Sequence, residues 1–265
     1  MMTLDIATWA LERRGEELLW DGCVLADLAR SYGTPLFVVN NSRLEQSYRE
    51  LCETFQSEAL AAEIFFSWKT NPVPAVLKSL IELDAGAEIV SEFEFWLAKK
   101  LHVTGQKIVV NGSVKSPELL QQAVEYDVAL INVESVAELR LLDEISIKLG
   151  KRVNVGLRIN PSLKTSRFDF TTSTGTASSH IGFISNGSEW KSALSILRES
   201  PFLHLRGLHF HIGSGIHTAN PYAEALDTVL KVWKNLLEQG FAPSVLDIGG
   251  GFQIPTLKIF SLLDA

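Results

Sequence analysis

Cysteine is scarce in this 265-residue sequence, and long apolar runs are missing. The two cysteines, Cys23 and Cys52, provide neither a disulfide framework nor the spacing of metal ligands, so we expect no metal. No uninterrupted apolar run approaches the ~20 residues that a membrane helix needs. A net charge of −7 argues against nucleic acid as a partner. Residues 1–20 mix acids and bases early, unlike a secretory signal, so we expect a cytoplasmic protein.

Short apolar segments alternate with helical patterns along most of the chain. The apolar segments after Gly33 are IFFSWK, AEIVS, KIVVNG, ALINVE, VNVGLRIN, GLHFHIG and VLDIGGG. Most are continuously apolar and rich in β-branched residues, which is typical of strands buried on both faces. Ser91, Ser116 and Ser135 stand where the intervening helices would need N-caps. The repeated order of strand, loop and helix predicts a parallel sheet.

Polar residues recur where the predicted strands end, at intervals of 20 to 23 residues for Lys69, Ser91, Asn111 and Glu134. The later candidates at strand ends are Arg158, Asn160, His211 and Gly249. A closed (β/α)8 barrel and an open doubly wound sheet both fit this spacing. A barrel gathers the C-terminal ends of its strands into one pocket, and that face is where barrel enzymes work. We therefore predict an α/β fold of the TIM-barrel type.

The beginning of the chain does not follow this alternation. We interpret residues 1–35, with a short strand, a turn at Asp21-Gly22 and a helix, as a lead-in to a barrel of residues 36–265. Within the barrel, Pro161–His180 is long, polar and rich in serine and threonine. A loop of this length in a compact domain is usually functional or mobile.

The segment FFSWKTNP places one lysine, Lys69, at the end of an apolar strand. A charged amine is costly in such a position unless it has a use. The lysine stem could simply be buried while its amine reaches water. Alternatively, partial desolvation would favour the neutral amine, which can attack an aldehyde to form a Schiff base.

Two glycine-containing turns follow consecutive predicted strands near the end of the chain. The segment DIGGGF contains Gly249, Gly250 and Gly251, and the segment HIGSGI contains the hydroxyl of Ser214. Glycines let backbone N–H groups approach an anion closely, most naturally a phosphate. A plain tight turn is the alternative for each segment.

Four further side chains are candidates for a role beside these turns. His211 could stack on a flat ring or transfer protons, and with His209 on the same strand face it raises a metal hypothesis. Arg158 should face an anion or a hydrogen-bonding ring, with a structural ion pair as the alternative. A simple helix cap is the alternative for Glu94, and Glu88 lies within a strand. An amine for an aldehyde, two phosphate-binding turns and a ring-stacking histidine together suggest pyridoxal 5′-phosphate as cofactor.

The order of these segments resembles the fold-type III pyridoxal-phosphate decarboxylases, the group that contains the diaminopimelate and ornithine decarboxylases. FSWKTNP looks like the Lys-x-Asn motif of this family, and the resemblance marks Lys69 as the Schiff-base lysine. AEIVSEFEF looks like its second-strand motif and implies that Glu88 and Glu94 lie near the cofactor, although the family has aspartate where Glu88 stands.

The later motifs extend the resemblance to Phe252. GLRINP supplies Arg158, and GLHFHIGSG supplies His211 for the pyridine face and Ser214 for the phosphate. LDIGGGF supplies the phosphate-binding amides, which are those of Gly249, Gly250 and Gly251. The resemblance implies a barrel of the alanine racemase-like kind and a homodimer.

The family continues past the glycine turn with a Glu-Pro-Gly-Arg strand and a C-terminal β-domain, and neither follows Phe252 here. In the family that glutamate keeps the pyridine nitrogen protonated. The resemblance thus implies a barrel of seven strands, without the eighth strand and the β-domain. It also implies that this chain decarboxylates substrate poorly.

The function that this resemblance implies is decarboxylation of an amino acid, most of all diaminopimelate in lysine biosynthesis. An ornithine, lysine or arginine decarboxylase of the same family is an alternative. So is a truncated paralogue that binds the cofactor without turnover. Two hypotheses come from other classes: a methyltransferase, because VLDIGGGF also resembles its glycine turn, and a metal-dependent barrel hydrolase that uses His209 and His211.

Overall fold

The computed structural model describes residues 11–163, 174–216 and 218–252. The chain divides into two compact units, one made of Met1–Ile64 with Asn71–Ala85 and one made of Phe65–Thr70 with Gly86–Ala265. The predicted domain boundary at residue 35 stays a prediction. The middle of the predicted long loop, residues 164–173, and the tail after Phe252 lie outside the described residues.

Over its described residues, the first unit contains a small antiparallel sheet of order β1-β2-β3 and three helices. Its elements are β1 (Leu11–Arg14), β2 (Glu17–Trp20), β3 (Cys23–Val24), α1 (Leu25–Tyr32), α2 (Asn41–Ser57) and α3 (Pro74–Glu82). Strands β2 and β3 meet at Asp21 and Gly22, whose φ angles of 51° and 76° suit a two-residue hairpin turn. The predicted turn at this dipeptide is therefore confirmed.

The second unit is built on one parallel sheet. Its strands are β4 (Phe65–Ser67), β5 (Gly86–Ile89), β6 (Ile108–Val110), β7 (Leu130–Val133), β8 (Val153–Arg158), β9 (Leu203–His209) and β10 (Val245–Asp247). Its helices are α4 (Glu92–Lys100), α5 (Pro117–Glu125), α6 (Val136–Leu149), α7 (Ser188–Glu199) and α8 (Asn220–Glu238). Every residue of β5, β6 and β7 is buried, as the continuously apolar sequences predict.

The strand order in this sheet is strictly sequential, from β4 to β10. A doubly wound sheet would reverse direction part-way, as the methyltransferase hypothesis requires. The observed order is that of a (β/α) barrel, and the predicted fold class is confirmed. Among the described residues the sheet has seven strands, and β4 and β10 are its two edges.

A hydrogen bond between β7 and β10 shows that the sheet is strongly curled. The Asn132 Nδ2 donates to the Asp247 Oδ2 at 2.8 Å, although the two strands are three positions apart in the sheet. In a flat sheet they would lie ~14 Å apart. The side chains therefore meet on the concave side, and the C-terminal ends of the strands converge.

Serine caps begin three of the helices that cover this sheet. The Ser91, Ser116 and Ser135 hydroxyls accept hydrogen bonds from the backbone N–H three residues further on, as the sequence predicts. Each cap also ends a strand-to-helix loop sharply. The loops that carry the strand-end side chains are consequently short after β5 and β7.

A buried ion pair joins the loop after β6 to α6. The Lys115 side chain has no exposed surface, and its Nζ lies 2.7 Å from the Glu138 Oε1. The same ammonium donates to the Gly112 carbonyl at 2.7 Å. A buried charge that loses its partner is strongly destabilising, so this pair should help to fix the loop after β6 against α6.

We expect Lys115→Met to lower the free energy of unfolding by about 3 kcal/mol, because the Glu138 carboxylate would lose its counter-charge. Chemical denaturation measures this change. Lys231→Met, at an exposed lysine of α8, is the matched control and should change the value by less than about 0.5 kcal/mol. Equal effects of the two variants would contradict the structural role of the pair.

Candidate functional site

Lys69 lies in the turn after β4 and is exposed. Strand β4 ends at Ser67, and the turn buries Trp68 instead, which is 1% exposed and whose N–H donates to the Glu88 carbonyl at 3.0 Å. The expectation of a partly desolvated lysine at the end of a buried strand was therefore wrong for the described residues. The amine is instead available to a ligand from solvent.

The glycine turn after β10 is shaped by two residues with positive φ. Gly249 and Gly251 have φ angles of 67° and 97°, and a Cβ at Gly251 would lie 1.9 Å from the Gly213 carbonyl oxygen. Gly250 differs, because its φ is ordinary and a Cβ there would meet nothing within 4 Å. The fold therefore requires glycine at 249 and 251, while at 250 it leaves open space.

Two of the three turn amides already have partners within the chain. The Gly249 N–H donates to the Asp247 Oδ1 at 2.8 Å, and the Gly250 N–H donates to the His211 Nδ1 at a long 3.4 Å. The Gly249 amide, predicted to hold a phosphate, is thus engaged by a carboxylate. Only the weak bond of Gly250 would yield readily to a ligand.

The loop after β9 packs directly on this glycine turn. The Ile216 N–H donates to the Gly251 carbonyl at 3.0 Å, and the Cα of Ser214 is 3.3 Å from the position of a Gly251 Cβ. Ser214 itself is exposed. The two turns that the sequence singled out separately therefore form one surface.

His211 is half-buried beside the glycine turn, and Thr174 Oγ1 donates to its carbonyl at 2.7 Å. Burial, aided by the charges of Arg158, His209 and Lys69, lowers the pKa of His211 to about 4, against the opposing charge of Asp247. His211 is therefore neutral at pH 7. Lys69 follows the edge strand β4, far from β9 in the strand order. It influences the pKa of His211 because the curl of the sheet brings the two strand ends towards each other.

Arg158 is the last residue of β8 and is buried. Its Nη1 lies 2.6 Å from the Glu134 Oε1, and its Nη2 donates to the Thr174 hydroxyl at 3.5 Å. Of the two roles considered for this arginine, a structural ion pair is the one the described contacts contain. The guanidinium reaches His211 electrostatically and indirectly through Thr174.

The two predicted glutamates have different surroundings. The Glu94 Oε2 accepts from the Val90 N–H at 2.7 Å, which is the helix-cap role left open by the sequence. Glu88 is 9% exposed on β5 opposite Ser67, and its Oε2 has no hydrogen-bond partner among the described residues. A buried acceptor of this kind usually serves a ligand, a water or a functional role.

A polar layer inside the curled sheet was missed by the sequence reasoning. The Asn132 Nδ2 donates to both the Asn111 Oδ1, at 2.7 Å, and the Asp247 Oδ2, at 2.8 Å. The His209 Nδ1 lies 3.0 Å from the same Asp247 oxygen. The available signal was a single polar residue in an otherwise apolar strand, as in ALINVE and VLDIGGG.

The metal hypothesis for His209 and His211 has no support in this geometry. His209 faces Asp247, and the described residues contain no group of three histidine, cysteine or acidic side chains that could hold a metal ion. Within the same residues no helix has both the length and the apolar character to cross a bilayer.

A family model for the pyridoxal binding domain of pyridoxal-dependent decarboxylases matches residues 44–258. This match covers most of the chain, so the chain belongs to the pyridoxal-dependent decarboxylase family. The predicted family, with the pyridoxal cofactor that its description names, is confirmed. The methyltransferase hypothesis is excluded by the same match and by the sequential strand order.

Named relatives agree with this family and differ in length. A diaminopimelate decarboxylase of Aquifex aeolicus is 35% identical over 244 residues, which are 92% of this chain and 56% of that protein. The structure of diaminopimelate decarboxylase from M. jannaschii in complex with L-lysine has a TM-score of 0.86 at 28% identity, covering 94% of this chain and 58% of that one.

A lysine decarboxylase structure from Selenomonas ruminantium is similar at 26% identity and a TM-score of 0.71, covering 88% of this chain and 57% of that one. The chain thus spans about half the length of the curated relatives it matches.

The lowered pKa of His211 predicts a pH dependence of stability. Because the folded pKa of about 4 lies below the ordinary 6.5, the unfolded chain takes up a proton that the folded chain does not, and stability falls as the pH drops from 6.5 towards 4. Between pH 6.5 and 5 this histidine should lower the free energy of unfolding by about 1.5 kcal/mol.

Urea denaturation at several pH values measures this effect. His211→Asn should remove that share of the pH dependence, whereas His102→Asn, at an exposed histidine, should leave it unchanged. If the two variants have the same pH dependence as the native chain, the assigned environment of His211 is incorrect.

Proposed function

We propose that the second unit binds pyridoxal 5′-phosphate through Lys69 and serves as the cofactor domain of an amino-acid decarboxylase. The observation that supports the proposal is a convergence at the C-terminal ends of the strands. An exposed lysine amine, a neutral histidine and a glycine turn with open space at Gly250 come together there. Each matches one part of the cofactor, namely its aldehyde, its ring and its phosphate.

The residues at these strand ends fit the cofactor in different ways. Lys69 would hold it covalently, and the amides of Gly250 and Gly251 with the Ser214 hydroxyl would receive its phosphate. The open space at Gly250 is the kind of cradle that a Cβ would partly fill. We assign Gly249 to the shape of the turn, because its amide is already bonded to Asp247.

The bound cofactor supplies an electron sink for the bond that breaks at the amino-acid α-carbon. The chain itself orients the reacting groups. His211, neutral at pH 7, can lie against a flat ring without placing a second cation beside it. Arg158, held by Glu134 and Thr174, keeps a fixed positive charge near that histidine. Glu88 and Glu94 lie at the end of β5 and the start of α4, where Glu94 fixes the loop.

We infer diaminopimelate as the substrate from the names of the relatives and from the L-lysine complex of the M. jannaschii structure. Ornithine, lysine or arginine is the alternative substrate class, and the likeness to a lysine decarboxylase keeps it in view. Binding of the cofactor without turnover is the third possibility. Release of CO2 from each amino acid by the purified chain distinguishes all three.

Two further expectations are proposals: the homodimer rests on the family resemblance, and the cytoplasmic location rests on the early mixing of acids and bases in residues 1–20. We propose that the whole protein forms a homodimer in the cytoplasm, with a small amino acid as its binding partner. Light scattering after size exclusion would measure the mass of the assembly. A monomeric mass at micromolar concentration would contradict the dimer.

We predict that borohydride reduction of the chain with pyridoxal phosphate produces one adduct, on Lys69, because its amine is exposed and lies within electrostatic range of His211. Peptide mass spectrometry locates the adduct. Lys69→Ala should abolish it, and Lys78→Ala, at another exposed lysine, should not. Labelling spread over many lysines would count against a formed cofactor site in this chain.

Gly250→Ala separates the needs of the fold from those of the ligand. The fold should tolerate this change within about 0.5 kcal/mol, because the added Cβ meets no atom within 4 Å. The affinity for pyridoxal phosphate should fall about tenfold, since the methyl group would crowd the phosphate. Equilibrium titration and thermal denaturation of the same variant give both values. Unchanged affinity would argue against phosphate at this turn.

A further inference from the structure

One acidic side chain, Asp247, stands at the end of β10 directly before the glycine turn. Its two oxygens are approached by three groups: the Gly249 N–H at 2.8 Å, the Asn132 Nδ2 at 2.8 Å and the His209 Nδ1 at 3.0 Å. A carboxylate so close to a turn suited to an anion would repel that anion. Its presence at this position therefore needs another explanation.

We propose that Asp247 is a positioning residue that fixes the glycine turn in its phosphate-receiving shape. By accepting the Gly249 N–H, it holds Gly249 at a φ of 67° and keeps that amide away from the ligand. The amides of Gly250 and Gly251 are then the ones left to face the phosphate. This inference rests on the proposed function and extends it to a residue outside the predicted site.

Residues of β7 and β8 hold the Asn132 side chain that donates to Asp247. Asn132 on β7 donates both of its amide protons, one to Asn111 and one to Asp247, so its orientation is set by two acceptors. Gly156 on β8 leaves the space that the Asn132 amide oxygen occupies, because a Cβ at position 156 would lie 1.9 Å from that oxygen. A side chain at 156 would displace Asn132.

The ionised form of Asp247 suits this role, since a carboxylate can only accept hydrogen bonds. Burial would raise the pKa of Asp247, but His209, the Gly249 amide and Asn132 together hold it below its usual value. Two hydrogen bonds and the close approach of His209 involve this carboxylate, and neither the neutral amide of asparagine nor alanine can keep all three contacts.

The test compares the affinities of the purified chain for pyridoxal 5′-phosphate and for pyridoxal, which lacks the phosphate. Asp247→Ala should weaken the phosphate form about tenfold or more and change pyridoxal by less than about twofold. Asp247→Asn should shift the ratio in the same direction by less. The matched control is Asp143→Ala. Asp143 is a partly buried residue of α6 whose carboxylate accepts from the Ser200 hydroxyl, and its removal should leave the ratio unchanged.

A structural role alone would lower stability without changing this ratio. Native affinity ratios in both Asp247 variants would overturn the inference, as would an equal loss for both ligands in folded protein. Hydrogen exchange of the Gly249 amide needs no ligand and keeps the two proposals separate. It should accelerate about tenfold or more in Asp247→Ala, and unchanged exchange would overturn the inference.

If the native chain does not prefer pyridoxal phosphate to pyridoxal, the proposed cofactor site fails. In that case a faster Gly249 exchange in the variants still supports the part of Asp247 in fixing the turn.

Discussion

The curl of the seven-stranded sheet is the constraint on which the site depends. A flat parallel sheet of this width would place Lys69 and the glycine turn at opposite ends of a line. The hydrogen bond from Asn132 to Asp247 spans three strand positions at 2.8 Å, and it can form only on the concave face of a curled sheet. The C-terminal ends of the strands then converge, and the residues that follow β4, β9 and β10 lie at the same end of the curled sheet.

Two polar systems connect the strand ends once the sheet is curled. The inner one is the layer of Asn111, Asn132 and Asp247 below the glycine turn. The outer one runs along the rim: Lys115 pairs with Glu138, Glu138 accepts the Glu134 N–H, Glu134 pairs with Arg158, and Thr174 links Arg158 to the His211 carbonyl. Such connected networks are more rigid than isolated pairs, so His211 is fixed from the backbone and from its ring.

Local sequence patterns were sufficient to predict most of the fold. The serine caps, the apolar runs and the spacing of strand ends each depend on short segments, so the parallel sheet and its helices could be predicted. The exposure of Lys69 could not be predicted, because it depends on where β4 ends and on Trp68 taking the buried position.

The site was predictable in its residue types and less so in its contacts. Motif order pointed to His211, Arg158 and the glycine turn. The engagement of the Gly249 amide by Asp247 depends on a tertiary meeting of β7, β9 and β10 that no local pattern contains. The same holds for the pairing of Arg158 with Glu134, which joins neighbouring strand ends 24 residues apart.

We propose that the curled sheet gathers Lys69, His211 and the glycine turn into one cofactor site. A crystal structure of the chain grown with pyridoxal phosphate tests it most directly. The account predicts continuous density from the Lys69 Nζ to a ring lying against His211, with the phosphate at the amides of Gly250 and Gly251. A cofactor attached to another lysine, or a phosphate bound away from this turn, would contradict it.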